Sequence, residues 1–150
     1  MAISHVQPLL LLLLASLFLL PALRAVELPF EVCGRGDSLV TVSSVNLIPH
    51  PILANVQISG YTSTTITEGK MRMFVKVYGA VAEKTFDVCE LVACPVAPGA
   101  IMFLFNRAVP YVEAGVKVEV AVLYVRQSPK IMCVTFEYKH NDPVAVTISA

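Results

Sequence analysis

Residues 116–138 have the sequence VKVEVAVLYVRQSPKIMCVTFEY, in which two alternating runs flank a turn at Ser128-Pro129. In the first run, every second residue is apolar: Val118, Val120, Val122 and Tyr124. In the second run, the corresponding residues are Met132, Val134, Phe136 and Tyr138. Successive side chains of a β-strand point to opposite faces of the sheet. Both runs are therefore predicted to be strands with one buried face.

The same short alternating runs recur on both sides of this segment, without a sustained helical period. Strands are predicted over residues 39–47, 55–61, 71–78, 101–105, 116–125 and 131–138, with a further one over 144–148. Glycine, proline and Asn-Asp signals separate them. This spacing predicts an all-β fold of about seven strands, either an immunoglobulin-like sandwich or a closed barrel.

The amino terminus carries a nearly unbroken leucine run over residues 9–20, followed by Pro21. The run is shorter than the roughly 20 residues that a membrane-spanning helix needs, and small residues follow at Ala22 and Ala25. We therefore expect residues 1–25 to be a secretory signal peptide and residues 26–150 to be a single domain. An uncleaved anchor is the alternative.

Charges are balanced and dispersed. The chain has 11 basic and 11 acidic residues, and removal of Arg24 with the signal peptide leaves ten basic ones. They form no block or stripe, so the sequence gives no electrostatic footprint for nucleic acid or for an anionic membrane surface. No nucleic-acid partner is expected.

Four cysteines lie in the predicted domain: Cys33, Cys89, Cys94 and Cys133. An even number of cysteines in an exported chain favours disulfides. The close spacing of Cys89 and Cys94 favours a local bridge, which would leave Cys33 to pair with Cys133, although four cysteines allow three connectivities. A metal site is not expected, because only His50 and His140 could add ligands.

The sequence offers little for catalysis. Only two histidines lie in the predicted domain, and it contains neither a Gly-x-Ser-x-Gly motif nor a phosphate-binding glycine loop. We therefore expect no enzymatic activity, no catalytic residue and no cofactor. The tripeptide Arg35-Gly36-Asp37 matches an adhesion motif, but its position near Cys33 favours a simple surface turn.

Four motifs in order carry a family resemblance. They are Pro29-Phe30-Glu31-Val32-Cys33, then Val45-Asn46-Leu47-Ile48-Pro49-His50-Pro51-Ile52, then Asp87-Val88-Cys89-Glu90-Leu91-Val92-Ala93-Cys94-Pro95 with Gly99, and finally Cys133-Val134-Thr135-Phe136. On these motifs the chain resembles the MD-2-related lipid-recognition (ML) family, which includes the Niemann-Pick type C lysosomal sterol carrier and plant lipid-recognition proteins. The similarity covers residues 28–140.

The resemblance implies an immunoglobulin-like sandwich with an apolar cavity between its sheets, holding a sterol, a phospholipid or a glycolipid. It also implies the bridges Cys33–Cys133 and Cys89–Cys94. The chain lacks a third disulfide, as plant members do, and it has no tryptophan, unlike the sterol carrier.

Inward-facing apolar positions are expected to line this cavity. The expected lining is Val45, Leu47, Ile58, Val75, Val77, Val81, Phe86, Phe103, Phe105, Val118, Val120, Tyr124, Val134 and Phe136. The methionines Met71 and Met73 could adapt to different ligands. Tyr111, Lys84 and Arg107 are candidates for holding a head group.

The leading hypothesis is thus a monomeric lipid carrier or sensor, secreted or resident in a vacuolar or lysosomal lumen, with a membrane or receptor as a possible acceptor. The alternative is a secreted interaction module with a solid core that binds a protein through its outer strands or loops. A third hypothesis, a hydrolase, would depend on His50 and His140.

Overall fold

The computed structural model describes residues 3–18, 25–111 and 115–139, which form two helices and nine strands. The helices are α1 (Ile3–Phe18) and α2 (Val88–Leu91). The strands are β1 (Val26–Leu28), β2 (Phe30–Val32), β3 (Val40–Ile48), β4 (Leu53–Thr62), β5 (Lys70–Val77), β6 (Ala80–Asp87), β7 (Gly99–Pro110), β8 (Lys117–Tyr124) and β9 (Cys133–Lys139).

The strands form two antiparallel sheets. The four-stranded sheet has the order β1-β3-β4-β7, and the five-stranded sheet has the order β2-β9-β8-β5-β6. Every pairing between neighbours is antiparallel. The two sheets pack face to face as a sandwich, which confirms the predicted fold class.

The described side chains of the leucine-rich helix α1 lie outside the core. Residues Leu9 to Leu14 are between 44% and 68% exposed, and none of them belongs to the hydrophobic core. Among the described residues, no helix combines the length and the apolar character required to cross a membrane.

The predicted inward faces of β8 and β9 are confirmed. Val118, Val120 and Val122 are at most 2% exposed, and they pair with Tyr138, Phe136 and Val134 of β9, which are at most 6% exposed. The facing sheet contributes alternating residues of β3, β4 and β7, among them the fully buried Phe103 and Phe105. Burial of these two faces against each other forms the core.

Three strands were not predicted from the sequence. Strands β1 and β2 have three residues each, too few for an alternating pattern to show. Strand β6 is exposed from Ala80 to Thr85 and has no apolar alternation over that stretch. The further strand predicted over residues 144–148 lies outside the described residues.

Both disulfides connect the predicted partners. Cys33 and Cys133 lie 5.0 Å apart between Cα atoms and join the end of β2 to the start of β9. Cys89 and Cys94 have Cα atoms 5.3 Å apart and enclose most of α2, whose first turn is capped by the Asp87 carboxylate accepting from the Cys89 N–H at 2.9 Å. The described residues contain no free cysteine.

Gly60 is required by a close approach of two strands. It pairs with Val42 next to the bulge of β3 between Val42 and Ser44. A Cβ atom at position 60 would collide with the carbonyl oxygen of Thr41 and would lie 2.9 Å from Cγ1 of Val40. Only a residue without a side chain fits here.

Removal of the long disulfide is expected to destabilise the domain more than removal of the short one. The sequence separations are 100 and 5 residues, and the chain-entropy model then gives losses of roughly 4 to 5 and roughly 2 kcal/mol. Urea denaturation of the double variants Cys33→Ala/Cys133→Ala and Cys89→Ala/Cys94→Ala would measure both. Equal losses of unfolding free energy would contradict the prediction that the long disulfide contributes more to stability than the short one.

The Gly60→Ala variant should lose about 1 to 3 kcal/mol of unfolding free energy, because the added methyl group overpacks the contact with Thr41 and Val40. The neighbouring Ser59→Ala variant is the control, and its change should stay within about 0.5 kcal/mol. Chemical denaturation midpoints measure both, and a Gly60→Ala midpoint equal to that of the wild type would show that the strands can separate at no cost.

Candidate functional site

The edge of the five-stranded sheet is formed by β6, which follows β5 after the two-residue turn Tyr78-Gly79. This turn pairs Val77 with Ala80 and Val75 with Ala82. Residues paired directly across an antiparallel ladder point to the same face. Because Val75 faces the interior, the inward residues of β6 are the even-numbered ones, from Ala80 to Phe86.

The inward side of β6 is open to solvent. Val75 is 8% exposed, whereas its partner Ala82 and the inward residues Ala80 and Lys84 are exposed. The sandwich is therefore not closed along this edge.

A cleft of about 400 Å³ lies along the open edge, between β5 and β6 of one sheet and the end of β7 of the other. Its volume falls in the range of about 300 to 1,000 Å³ that is typical of small-molecule sites. Among the described lining residues, Lys84 is the only charged one. The lining consists of Met73, Val75, Val77, Ala80, Val81, Ala82, Lys84, Ala108 and Pro110.

An aromatic contact joins the two sheets beyond Lys84. The rings of Phe86 on β6 and Phe105 on β7 meet edge to face, with centroids 5.0 Å apart. The Lys84 ammonium lies 5.0 Å from the centroid of the Phe86 ring, close enough for a cation–π interaction. This end of the cleft therefore has apolar walls and one cation.

Two tyrosines, Tyr138 and Tyr111, lie beside Pro110 at the other end of the cleft. The Tyr138 hydroxyl donates a hydrogen bond of 2.6 Å to the carbonyl oxygen of Pro110, which links β9 to β7 across the sandwich. Burial raises the pKa of Tyr138, and the neighbouring Tyr111 contributes to this shift. Burial also raises the pKa of Tyr111. Desolvation disfavours a phenolate, so both hydroxyls stay neutral and the end of the cleft carries no charge from them.

A bulge shapes β7 where it borders the cleft. The pairing of β4 with β7 shifts register between Ala54 and Val56, and Arg107 has a φ of 47°. The Arg107 N–H donates to Oδ1 of Asn55 at 2.7 Å, and Nδ2 of Asn55 lies 3.3 Å from Nε2 of His50. Bulges bend a strand locally, and Ala108, which borders the cleft, follows this one directly.

The structure divides the predicted lining residues into three groups. Val75, Val77 and Val81 border the cleft. Tyr124 is half-buried, with the Lys130 ammonium 5.8 Å from its ring centroid. The others are at most 8% exposed and belong to the packed core: Val45, Leu47, Ile58, Phe86, Phe103, Phe105, Val118, Val120, Val134 and Phe136.

The expectation that Val81 faces inward is wrong. Val81 pairs with Lys76 on the outer face of the sheet and is 60% exposed, so it only borders the rim of the cleft. The two-residue turn inverts the parity of inward positions between β5 and β6. Recognition of Tyr78-Gly79 as that turn would have pointed to Ala80, Ala82 and Lys84.

The three candidate head-group residues have different positions. Lys84 lines the cleft, Tyr111 is half-buried beside Pro110, and Arg107 is exposed at the bulge. The structure thus brings only Lys84 directly into the cleft as a charged group.

A larger depression of about 720 Å³ crosses the outer face of the five-stranded sheet. Its lining combines the charged residues Lys76, Glu119 and Glu137 with apolar side chains such as Phe30 and Phe74. Ion pairs connect these residues: Lys76 to Glu119 at 3.6 Å, and Lys117 to Glu119 and Glu137 at 3.5 and 3.0 Å. Because this depression lies on the outer face and ion-paired charges are interspersed among its apolar side chains, we place the apolar site at the edge cleft.

The described ranges contain no cluster of three or more His, Cys, Asp or Glu residues that could hold a metal ion. The His50 ring contacts the Asn55 amide, and His140 lies outside the described residues. In the Arg35-Gly36-Asp37 turn, Lys130 donates a hydrogen bond to the Asp37 carboxylate and lowers its pKa.

Comparison with known proteins places the chain in a family. No family model matches it. It is similar to the MD-2-related lipid-recognition protein ROSY1 of Arabidopsis thaliana, with 33% identity over 93% of this chain and 92% of the relative. It is also similar to the MD-2-related lipid-recognition protein 3 of Arabidopsis thaliana, with 33% identity over 99% of this chain and 100% of that relative. With full-length relatives at this identity and a sandwich of two antiparallel sheets, the chain belongs to the MD-2-related lipid-recognition family.

Proposed function

We propose that this protein binds a lipid, a sterol, phospholipid or glycolipid, with its apolar part in the cleft between the edges of the two sheets. The observation that carries the proposal is the open, apolar cleft of about 400 Å³ bounded by β5, β6 and β7. The names of the two relatives, which are lipid-recognition proteins, support the same class of ligand.

The driving force is the removal of hydrocarbon from water. Each methylene group of a lipid tail that enters the cleft gains roughly 0.8 kcal/mol. A tail that places eight methylenes against Val75, Val77 and their neighbours would gain about 6 kcal/mol before entropic costs. Binding of this kind requires shape and apolar walls, and it requires no catalytic group.

Lys84 should orient the ligand, because its positive charge favours an anionic head group at this end of the cleft. Its ammonium lies on the Phe86 ring and lines the cleft, so a phosphate or carboxylate near the mouth would meet a positive charge. The tail would then extend past Ala82 and Ala80 towards Pro110. Tyr111 and Arg107 lie near that end as additional polar groups.

The cellular role that we propose is a non-enzymatic one, transfer or sensing of the lipid by a monomer. The leucine-rich segment at residues 1–25 would act as a signal peptide, and the two disulfides suit an oxidising compartment. The destination would be extracellular or a vacuolar or lysosomal lumen.

The alternative, a protein-binding module acting through Arg35-Gly36-Asp37, has less support. The Asp37 carboxylate is already engaged by Lys130, whereas an adhesion motif requires a carboxylate that is free to bind a receptor.

The Ala82→Phe variant should lower lipid uptake at least tenfold. Residue 82 faces inward at the middle of the cleft, so the added ring should fill the space that the lipid would occupy. Uptake of NBD-labelled phosphatidylcholine and of dehydroergosterol, followed by native mass spectrometry and lipid extraction, would measure the loss.

The matched control is Thr85→Phe, which adds a similar ring to the outer face of the same strand, where Thr85 pairs with Arg72. Its uptake should equal that of the wild type. Equal uptake by all three proteins would place the ligand elsewhere, and a wild-type protein that takes up neither probe would overturn the proposed function.

Replacement of Lys84 by glutamine should weaken binding of an anionic lipid about fivefold and leave a sterol unaffected, since an exposed charge contributes on the order of 1 kcal/mol. Phosphatidic acid and cholesterol are suitable probes, compared at low and high salt. Lys70→Gln, an exposed lysine at the start of β5, is the control. An unchanged affinity for phosphatidic acid would exclude Lys84 from head-group binding.

A further inference from the structure

The two sheets differ in how much charge their strands carry. Every strand of the five-stranded sheet has at least one charged residue. In the four-stranded sheet, the two central strands β3 and β4 have none, and the flanking strands β1 and β7 have one each, Glu27 and Arg107. The outer face of the four-stranded sheet is therefore nearly free of charge.

The two charged residues lie at the margins of this sheet. Glu27 is exposed on β1, the edge strand, where it pairs with Asn46. Arg107 lies on the opposite edge strand, at the bulge, with its N–H bonded to Asn55. Over the described ranges, the ion pairs between strand residues all belong to the five-stranded sheet. The area between the two margins thus carries no fixed charge.

Amide and hydroxyl side chains cover this area instead. Asn46 pairs directly with Gln57, and Ser44 pairs with Ser59. Residues paired in this way point to the same face, and this face is the outer one because the neighbouring residue Val45 is buried. Amides and hydroxyls can both donate and accept hydrogen bonds. We call the outward residues Ser44, Asn46, Gln57, Ser59, Tyr61 and Met102 the neutral face.

The neutral face also has an apolar part. Tyr61 is 57% exposed and Met102 is 48% exposed. Met102 pairs with Ser59, so Tyr61, two residues further along β4, is its diagonal neighbour. The residues beside Tyr61 across the sheet are Thr41 and Ala100, which are small and exposed. The tyrosine ring is therefore accessible to a ligand.

This combination matches the chemistry of a neutral sugar, which has an apolar face of C–H groups and a rim of hydroxyl groups. The Tyr61 ring offers an apolar surface for stacking, and the amides of Asn46 and Gln57 offer partners for the hydroxyls. Burial of amides and hydroxyls costs much less than burial of charges, and a neutral ligand could not compensate a buried ion. The neutral face thus suits an uncharged carbohydrate better than an anionic one.

The dimensions of the neutral face suit a chain of sugars rather than a single one. Gln57 and Tyr61 are four residues apart on β4, which corresponds to roughly 13 Å along the strand. Two strand spacings separate β3 from β7, or about 10 Å. An extended oligosaccharide lying on the sheet would contact the ring and both amides at once.

We propose that the neutral face binds a neutral polysaccharide, with Tyr61 stacked on a sugar ring and Asn46 and Gln57 hydrogen-bonded to sugar hydroxyls. The neutral face is the outer surface of the four-stranded sheet, whereas the cleft opens on the inner side of the sandwich. Carbohydrate and lipid would therefore bind at separate places, and the carbohydrate site does not rest on the proposed lipid function.

Isothermal titration calorimetry of the purified protein with four hexasaccharides tests the proposal. The neutral probes are cellohexaose, xylohexaose and mannohexaose, and the anionic probe is hexagalacturonate. At least one neutral probe should bind saturably, and hexagalacturonate should bind at least tenfold more weakly than that probe. Absence of binding by all three neutral probes, or tightest binding by hexagalacturonate, would overturn the proposal.

Variants of the neutral face locate the site. The affinity for the best neutral probe should fall at least tenfold in Tyr61→Ser and at least fivefold in Asn46→Ala/Gln57→Ala, but less than threefold in Tyr61→Phe, which keeps the ring. The matched control is Tyr78→Ser, which removes an 82% exposed tyrosine from the turn between β5 and β6 and should change the affinity less than twofold. Undiminished binding by Tyr61→Ser and by the double variant, or an equal loss in Tyr78→Ser, would refute the assignment.

Two measurements separate loss of the site from loss of the fold. Urea midpoints and uptake of NBD-labelled phosphatidylcholine should be unchanged in Asn46→Ala/Gln57→Ala, because its substitutions lie on the outer surface, away from the core and the cleft. A weaker affinity for sugar with both properties intact supports the proposal. A wild-type dimer in size-exclusion chromatography that Tyr61→Ser converts to a monomer would instead show that the neutral face binds a second copy, and the carbohydrate proposal would be wrong.

Discussion

The tight turn at Tyr78-Gly79 pairs Val77 with Ala80, and the pairing continues without a shift to the end of β6. This register turns the even-numbered residues of β6 towards the inside of the sandwich. The inward residues of the neighbouring β5 are covered by the opposite sheet, but the small side chains of Ala80 and Ala82 do not reach it. The open cleft is a direct consequence of these small inward side chains on the edge strand β6.

The rest of the interior is closed. Valine, isoleucine and phenylalanine side chains of both sheets pack into one core, and most of the positions expected to line a central cavity belong to it. Cross-sheet contacts delimit the remaining space: the Phe86–Phe105 ring pair at one end and the bond from Tyr138 to Pro110 at the other. The described structure therefore offers a ligand an edge cleft. A ligand that buries more than about 400 Å³ of its volume between the sheets would require them to separate along β6, which is held by the single neighbouring strand β5.

Much of the fold follows from local patterns. Alternation over residues 116–138 predicts both the strands and the buried face of β8 and β9, because a strand with one wet face repeats every two residues. The disulfide pairing follows from the spacing of Cys89 and Cys94 and from the family resemblance. Strands β1 and β2 could not be found in this way, since three residues are too short for a period. They form strands because β1 pairs with the otherwise unpaired edge of β3, and β2 with that of β9.

The candidate site was likewise predicted only in part from the sequence. Val75 and Val77 were predicted from their alternation on a single strand, but Val81 was assigned to the wrong face because its orientation depends on how the hairpin turn sets the register. By itself, the sequence determined the all-β class, the buried faces of the long strands, the cysteine pairs and the family, all of which rest on short-range patterns and motifs. Only the tertiary structure decided that β6 lies at an uncovered edge and that Lys84 is the charged residue in the cleft. These features arise from the meeting of strands distant in sequence, and no periodicity within one strand encodes them.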